Sequence, residues 1–318
     1  MITNLSYADI LTAAARIAGK AEVTPVRSAH SLNALSGAEL FFKCENLQRV
    51  GAFKFRGACN AVWSLSDEEA ARGVVTHSSG NHGAALALAA RDRGIPAHVV
   101  VPRGAVRSKL AAIAAFGAVL HECEPTMAAR DALAAELVLR TGGQLVHPFT
   151  DPRVIAGQGT AALELLREVP GLDLLVTPVG GGGLVCGTAL AASGAQPGLR
   201  VIGAEPEGAA DAFASLARGE RVTSIVPDTI CDGLRGTIGQ INLDLMREHR
   251  VELLLVSDAQ TRAALRLAYE RLKLVIEPSC ATVLAAVLRY RERFEGHRVG
   301  LVLSGGNVDL DALGPMLA

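Results

Sequence analysis

Short aliphatic runs alternate along this chain with longer stretches rich in Ala, Leu and Arg. Runs at 73–76, 97–101, 118–121, 172–179, 199–204, 251–256 and 299–303 have the length and branched content of strands, and the stretches between them have the length of helices. That rhythm predicts an α/β fold with mainly parallel sheets. Two runs, LDLLVTPV and RVGLVLS, are almost continuously apolar, as strands covered by helices on both faces must be. No fixed-period repeat, low-complexity tract or flexible linker interrupts the pattern, so a second domain has to be an insertion or a compact subdivision. The chain runs about a dozen residues past the motif SGGN, and no appended regulatory domain is expected.

Composition narrows function more than fold. The 318 residues are 50% hydrophobic, enough for one large or two moderate domains. Lys and Arg number 31 against 32 Asp and Glu, a net charge of −1, with no basic run and no basic patch interleaved with aromatics. No nucleic-acid partner is expected, and small molecules are. No apolar stretch approaches the roughly 18–20 residues of a bilayer span, and the N-terminus lacks the layout of a signal peptide. A soluble, cytoplasmic protein with no membrane partner is expected. Cys44, Cys59, Cys123, Cys186, Cys231 and Cys280 are scattered, without a CxxC pair or a nearby His at zinc-finger spacing, and read as reduced core thiols.

Four segments carry candidate chemistry. Strand-like LLVTPV runs into Gly180, Gly181, Gly182, Gly183 and Leu184, followed by an Ala-rich helix. Glycines between a strand and a helix let backbone N–H groups face an anion at the helix N-terminus, and phosphate is the natural guest. The dinucleotide fingerprint would require glycine where Val185 or Cys186 stands, and no Gly-Lys-Ser/Thr follows for a nucleotide loop. The second segment, Ser78, Ser79, Gly80, Asn81, His82 and Gly83, lies where a strand gives way to a helix, the ligand-binding end of open α/β sheets. Helix capping by Ser79 or Asn81 is the alternative reading. In the third, GAFKFRGACNAV, Lys54 stands between Phe53 and Phe55. Desolvation there would favour the neutral amine needed to form an imine; a lysine snorkelling to the surface is the competing reading. The fourth places Ser304 at the end of a buried strand before Gly305, Gly306 and Asn307, where it can face a ligand or simply form a turn.

Together, AFKFRGA, SSGNHG, the glycine run and SGGNVD resemble, in order and spacing, the fold type II pyridoxal 5'-phosphate (PLP) enzymes of the serine/threonine dehydratase and serine racemase family. The resemblance extends through KCENLQ, HPFTDPRVIAGQGT and IEPSCA over essentially the whole chain. It implies two three-layer α/β/α domains with mainly parallel sheets, similar to the tryptophan synthase β fold. The large PLP-binding domain would comprise 1–75 and 148–318, and a small mobile domain 76–147. By the same resemblance Lys54 carries the cofactor, Phe53 packs near its ring, Asn81 lies beside its 3-oxygen, Gly180, Gly181, Gly182, Gly183 and Leu184 hold its phosphate, and Ser304 meets the pyridine nitrogen. Ser78, Ser79, Asn81 and His82 would meet the substrate, with Ser79 acting on the face opposite Lys54. Glu205, Asp211 and the Ala209 carbonyl resemble the divalent-cation site of serine racemases, suited to magnesium, calcium or manganese; a solvated carboxylate pair is the plain alternative. Family members are commonly homodimers.

The activity implied is elimination of water from an L-3-hydroxy amino acid, with Lys54 taking the α-proton and a 2-oxo acid and ammonia as products. Phe149 resembles the bacterial dehydratases more than the animal racemases. Gly236 stands where some relatives carry serine, leaving space for a larger β-substituent such as a phenyl or carboxylate group. Arg130 lies near the substrate position of serine racemases, where it could grip a carboxylate bidentately or be an ordinary helical arginine. Serine, threonine, 3-hydroxyaspartate and 3-phenylserine remain open as substrates. The alternatives are a racemase with side dehydratase activity, a β-replacement synthase, and a non-catalytic ligand-binding protein, which would need neither Lys54 nor Ser304.

Overall fold

A computed structural model describes residues 5–317. Among them are ten strands: β1 (Val26–Arg27), β2 (Glu39–Cys44), β3 (Val74–His77), β4 (Ala97–Pro102), β5 (Val119–Cys123), β6 (Gln144–Leu145), β7 (Leu174–Pro178), β8 (Arg200–Pro206), β9 (Glu252–Val256) and β10 (Arg298–Leu303). They form two sheets, one in the order β1-β2-β10-β7-β8-β9 and one in the order β5-β4-β3-β6. Every pairing is parallel except β1 with β2.

All seven apolar runs become strands. β7 is buried throughout because both its faces are covered: Leu174 and Val176 enter the core shared with the helix Pro278–Arg289, and Leu175 enters the core shared with Pro152–Glu168 and Gly183–Ala195. The smaller sheet is layered likewise. Val74 packs with the helices Lys54–Trp63 and Asn81–Arg93, and Val75 with the helix Met127–Thr141. Its edge strand β5 departs from the fully covered pattern, leaving Val119 52% exposed. The six cysteines are free and buried, and burial pushes the thiols of Cys44, Cys59, Cys186 and Cys231 up to about 12, so they stay protonated and inert.

The strands beyond the seven are β1, β2 and β6. β1 and β6 have two residues each, too few to leave a period. β2, ELFFKC, carries Lys43, whose charge reads as a surface residue. In the structure Lys43 is fully buried, with Nζ donating to the Thr24 carbonyl and to Glu164, both at 2.6 Å. None of the described helices is long and apolar enough to cross a membrane.

Candidate active site

β3, β7 and β10 all empty at their carboxyl ends into one cleft of about 490 Å³ between the two sheets. The cleft is lined by Phe53, Lys54, Ser78, Ser79, Asn81, His82, Arg130, the run from Gly180 to Leu184, Gly236 and Ser304. Segments as far apart in sequence as Lys54 and Ser304 are therefore brought together. The joint is backbone: Phe53 N–H donates to the Ser304 carbonyl at 3.0 Å, and Ala52 bridges to Gly305.

Lys54 opens the helix Lys54–Trp63. Its Nζ donates to the Pro148 carbonyl at 2.8 Å and stands 5.2 Å from the centre of the Phe53 ring. Burial lowers its pKa from 10.5 to about 8, against the opposing pull of the Glu277 carboxylate, so a useful fraction is the neutral amine near neutral pH. The carbonyl that receives it belongs to a built turn. His147 Nδ1 accepts the N–H groups of Phe149 and Thr150, at 3.4 and 3.1 Å, and Asp151 caps the helix Pro152–Glu168 by accepting from Arg153 N–H at 2.8 Å. Burial drives His147 down to about 3, which keeps that nitrogen a bare acceptor.

Behind Lys54 lies a buried charge cluster. Arg56 donates through Nε and Nη2 to the two oxygens of Glu45, at 2.7 and 2.8 Å, and through Nη1 and Nη2 to those of Glu164, at 2.7 and 2.8 Å. Lys43 completes it on Glu164. Two cations against two anions, each hydrogen-bonded, is the condition under which charges tolerate burial. The cluster ties the first turn of the lysine's helix to β2 and the helix Pro152–Glu168.

The glycine run leads into the helix Gly183–Ala195, whose N-cap Gly182 makes no side-chain hydrogen bond and whose first residues line the cleft. Gly182 has φ +94°, a conformation that disfavours side chains, and a Cβ on Gly181 would fall 2.4 Å from the Phe149 ring. The run is closely packed and lines the cleft.

In the SSGNHG segment the helix Asn81–Arg93 is capped by Gly80 without any side-chain hydrogen bond, so neither Ser79 nor Asn81 is used up as a cap. His82 Nε2 meets the Val146 carbonyl at 3.2 Å and must carry the proton there, leaving Nδ1 a buried acceptor without a partner. Its imidazole, kept neutral by burial, cannot donate to a carboxylate in this arrangement; the backbone N–H groups at the helix start can. Arg130 is half-buried on the cleft wall, its Nε buried with no partner, and the adjacent Asp131 faces His77 instead, 3.5 Å away. A Cβ on Gly236 would meet only Phe149, at 3.8 Å, so space is open there.

Four charged cleft residues were not singled out from the sequence: Glu277, Asp232, Lys109 and Arg235. Glu277 lay in the quoted IEPSCA, but nothing in that string distinguishes a cleft carboxylate from a helix cap. Lys109 and Asp232 form an ion pair spanning the cleft mouth, a contact between residues remote in sequence.

Glu205, Ala209 and Asp211 lie outside the cleft lining. Both carboxylates are buried beneath the start of the helix Asp211–Arg218. Glu205 accepts the N–H groups of Ala212 and Phe213, each at 2.9 Å, while Asp211 accepts the Ile238 N–H at 2.6 Å through Oδ2 and leaves Oδ1 without a partner. Burial raises Glu205 to about 8 and Asp211 to about 6.

Residues 17–305 match the family described as pyridoxal-phosphate dependent enzyme. The chain is 48% identical over 308 residues to the beta-hydroxyaspartate dehydratase of Paracoccus denitrificans (strain Pd 1222), covering 97% of this chain and 98% of that one. Its structure superposes on maize serine racemase with a TM-score of 0.95 and 42% identity, covering 98% and 97% of the two chains. On the serine racemase of Dictyostelium discoideum the TM-score is 0.93 and the identity 45%, covering 97% and 100%. A lysine whose amine is partly neutral, a glycine run at a helix N-terminus and a hydroxyl at Ser304 in one cleft are groups that fit a pyridoxal phosphate. The chain belongs to the pyridoxal-phosphate dependent enzyme family.

Proposed function

We propose that this chain is a dehydratase acting on an L-3-hydroxy amino acid that carries a second carboxylate, of the 3-hydroxyaspartate type. The observation that carries the substrate class is Arg130, a cation lining the cleft with no carboxylate partner among the described residues. The 48% identity to a protein named for that activity supports the same choice.

The reading assigns work to the chain's own groups. Backbone N–H groups at Ser79 to His82, with the Ser78 and Ser79 hydroxyls, receive the α-carboxylate, and Arg130 receives the β-carboxylate. Phe53, Asn81, the run from Gly180 to Leu184, and Ser304 hold PLP. PLP supplies an electron sink for the charge that develops at the α-carbon. Lys54, as a neutral amine, would remove the α-proton and return it towards the leaving hydroxyl. Loss of water and hydrolysis of the released enamine give oxaloacetate and ammonia. The lobe expected at 76–147, which must begin at Val74 because β3 belongs to the smaller sheet, closes over the substrate and excludes water, with the Lys109–Asp232 pair across the mouth. Ser79, facing the substrate from the other side, would deliver a proton in a racemase.

A divalent cation between Glu205, Asp211 and the Ala209 carbonyl fits as a structural element: two buried carboxylates with raised pKa values, one of them with an unpartnered oxygen, have no ion-pair partner among the described residues. The assembly is a homodimer, which sedimentation at several concentrations would test.

The deciding experiment follows ammonia release from L-threo-3-hydroxyaspartate, L-serine, L-threonine and L-threo-3-phenylserine, with chiral analysis of the amino acid left over. Fastest turnover of hydroxyaspartate to oxaloacetate is expected. Accumulation of D-amino acid without ammonia would move the activity to racemisation, and a protein that cannot be loaded with PLP would refute the reading outright.

A further inference from the structure

Asn81 is held at both ends by side chains from across the cleft. Its Nδ2 donates to the two carboxylate oxygens of Glu277 at 3.2 and 3.1 Å, and its Oδ1 accepts from Nδ2 of Asn307 at 2.9 Å. Asn307 Nδ2 also donates to the Val50 carbonyl at 2.7 Å, where Val50 sits at φ 58° in the turn before Lys54. Asn307 Nδ2, itself bound to the Val50 carbonyl, can only donate, and an ionised carboxylate can only accept, so the amide of Asn81 has one orientation; turning it over would set its Nδ2 against Asn307 and its oxygen against Glu277. One of the two Nδ2 hydrogens serves Glu277 and the other is left for the cleft. Asn81 begins a helix of the smaller sheet's layer, whereas Glu277 precedes the helix Pro278–Arg289 and Asn307 follows β10, both packed on the larger sheet.

Glu277 is itself an expensive residue to keep. It is 5% exposed, and no cation among the described residues reaches it at ion-pair distance. The charged groups that bear on it are Asp232 and Lys109 from the cleft mouth and Lys54 from the opposite wall. Burial raises its pKa to about 7. A Cβ on the neighbouring Gly305 would lie 2.8 Å from its Oε1, so the backbone leaves this carboxylate a fitted place.

We infer that Glu277 is a positioning residue for the cofactor: with Asn307 it locks the Asn81 amide so that a fixed N–H faces the cofactor, and its charge bears on Lys54 across the cleft. The inference rests on the PLP reading above. It is tested on holoenzyme with E277A, E277Q, N307A and N81A, by three readouts: the PLP dissociation constant from the visible absorbance of bound cofactor, the pH midpoint of that absorbance, and the melting temperature of the stripped protein.

E277A and N307A are expected to weaken PLP binding about tenfold, the worth of one charge-assisted hydrogen bond. E277Q keeps an acceptor for Asn81 and should bind PLP within about twofold of wild type. It should lower the pH midpoint, because the negative charge that raises the Lys54 pKa is gone. Asn307 is exposed, so N307A keeps the test alive if E277A does not fold. Wild-type affinity and pH midpoint in E277A and N307A, alongside loosened cofactor in N81A, would overturn the clamp. A wild-type protein that binds no PLP would overturn the cofactor reading and the clamp with it.

Discussion

Replacing Arg130 with Gln separates the two halves of the proposed recognition. The guanidinium has no acidic partner among the described residues and its Nε is buried, so the variant removes a charge from the cleft wall without stranding another. At 4 Å and an effective dielectric of about 20, a guanidinium and a carboxylate attract by about 4 kcal/mol. Desolvation of both groups takes part of that back, leaving about 2–4 kcal/mol for a close, partly buried pair. At 1.36 kcal/mol per decade, kcat/KM for 3-hydroxyaspartate should fall about thirtyfold to a thousandfold. L-Serine has no second carboxylate, and its kcat/KM should change by less than about threefold. R130K should recover part of the loss, since it restores the charge but not the planar two-point grip. Ammonia release serves both substrates, and the melting temperature of the stripped protein checks that the fold is intact. An equal fall for both substrates would assign Arg130 to the cleft's architecture and refute its role as a β-carboxylate receptor.

Three further outcomes follow from the charges described above. The rate at which stripped protein recaptures PLP should rise about tenfold per pH unit and level near pH 8, where Lys54 loses its proton; a rate still climbing as for an ordinary lysine at 10.5 would refute the lowered value. R56M should destabilise the protein to urea by about 3–5 kcal/mol, because Glu45 and Glu164 are left facing each other, and R56M/E45Q should cost less than the sum of the single variants. Additive costs would mean the cluster does not act as a unit. Glu205 titrates near 4.5 when unfolded and near 8 in the fold, so the unfolded chain binds fewer protons between those values and metal-free stability falls as pH rises through that window. Calcium or magnesium should therefore raise the melting temperature more at pH 8 than at pH 6, and an equal shift at both, or one that persists in E205Q, would refute the site.

Legibility in the sequence tracked the range of the interactions involved. Strands buried on both faces, such as β7 and β10, announce themselves as unbroken apolar runs, and the glycine run from Gly180 to Gly183 stands out by composition alone as a cleft-lining turn. β2 was not legible because its strand carries Lys43, whose burial depends on Thr24 and Glu164, neither of them a neighbour in sequence. The same limit explains the site. Lys54, Asn81 and Ser304 stood out because they sit in distinctive strings, whereas Glu277, Lys109 and Asp232 acquire their place only through partners 196 or 123 residues away. That the His82 imidazole presents an acceptor rather than a donor follows from its bond to Val146, which no motif encodes.

The position of β10 also governs when the protein can be loaded during its own manufacture. It follows every other described strand in chain order, yet it lies in the interior of its sheet between β2 and β7, and its end carries Ser304 and the carbonyl that receives Phe53 N–H. Until that strand inserts, β2 and β7 have no partner between them and the turn holding Lys54 has nothing to bridge to. Nascent chains fold from the N-terminus as they emerge, so the smaller sheet can assemble early while the larger one waits. Cofactor capture should then wait for β10, and removal of β10 should cost the vitamin and the fold together.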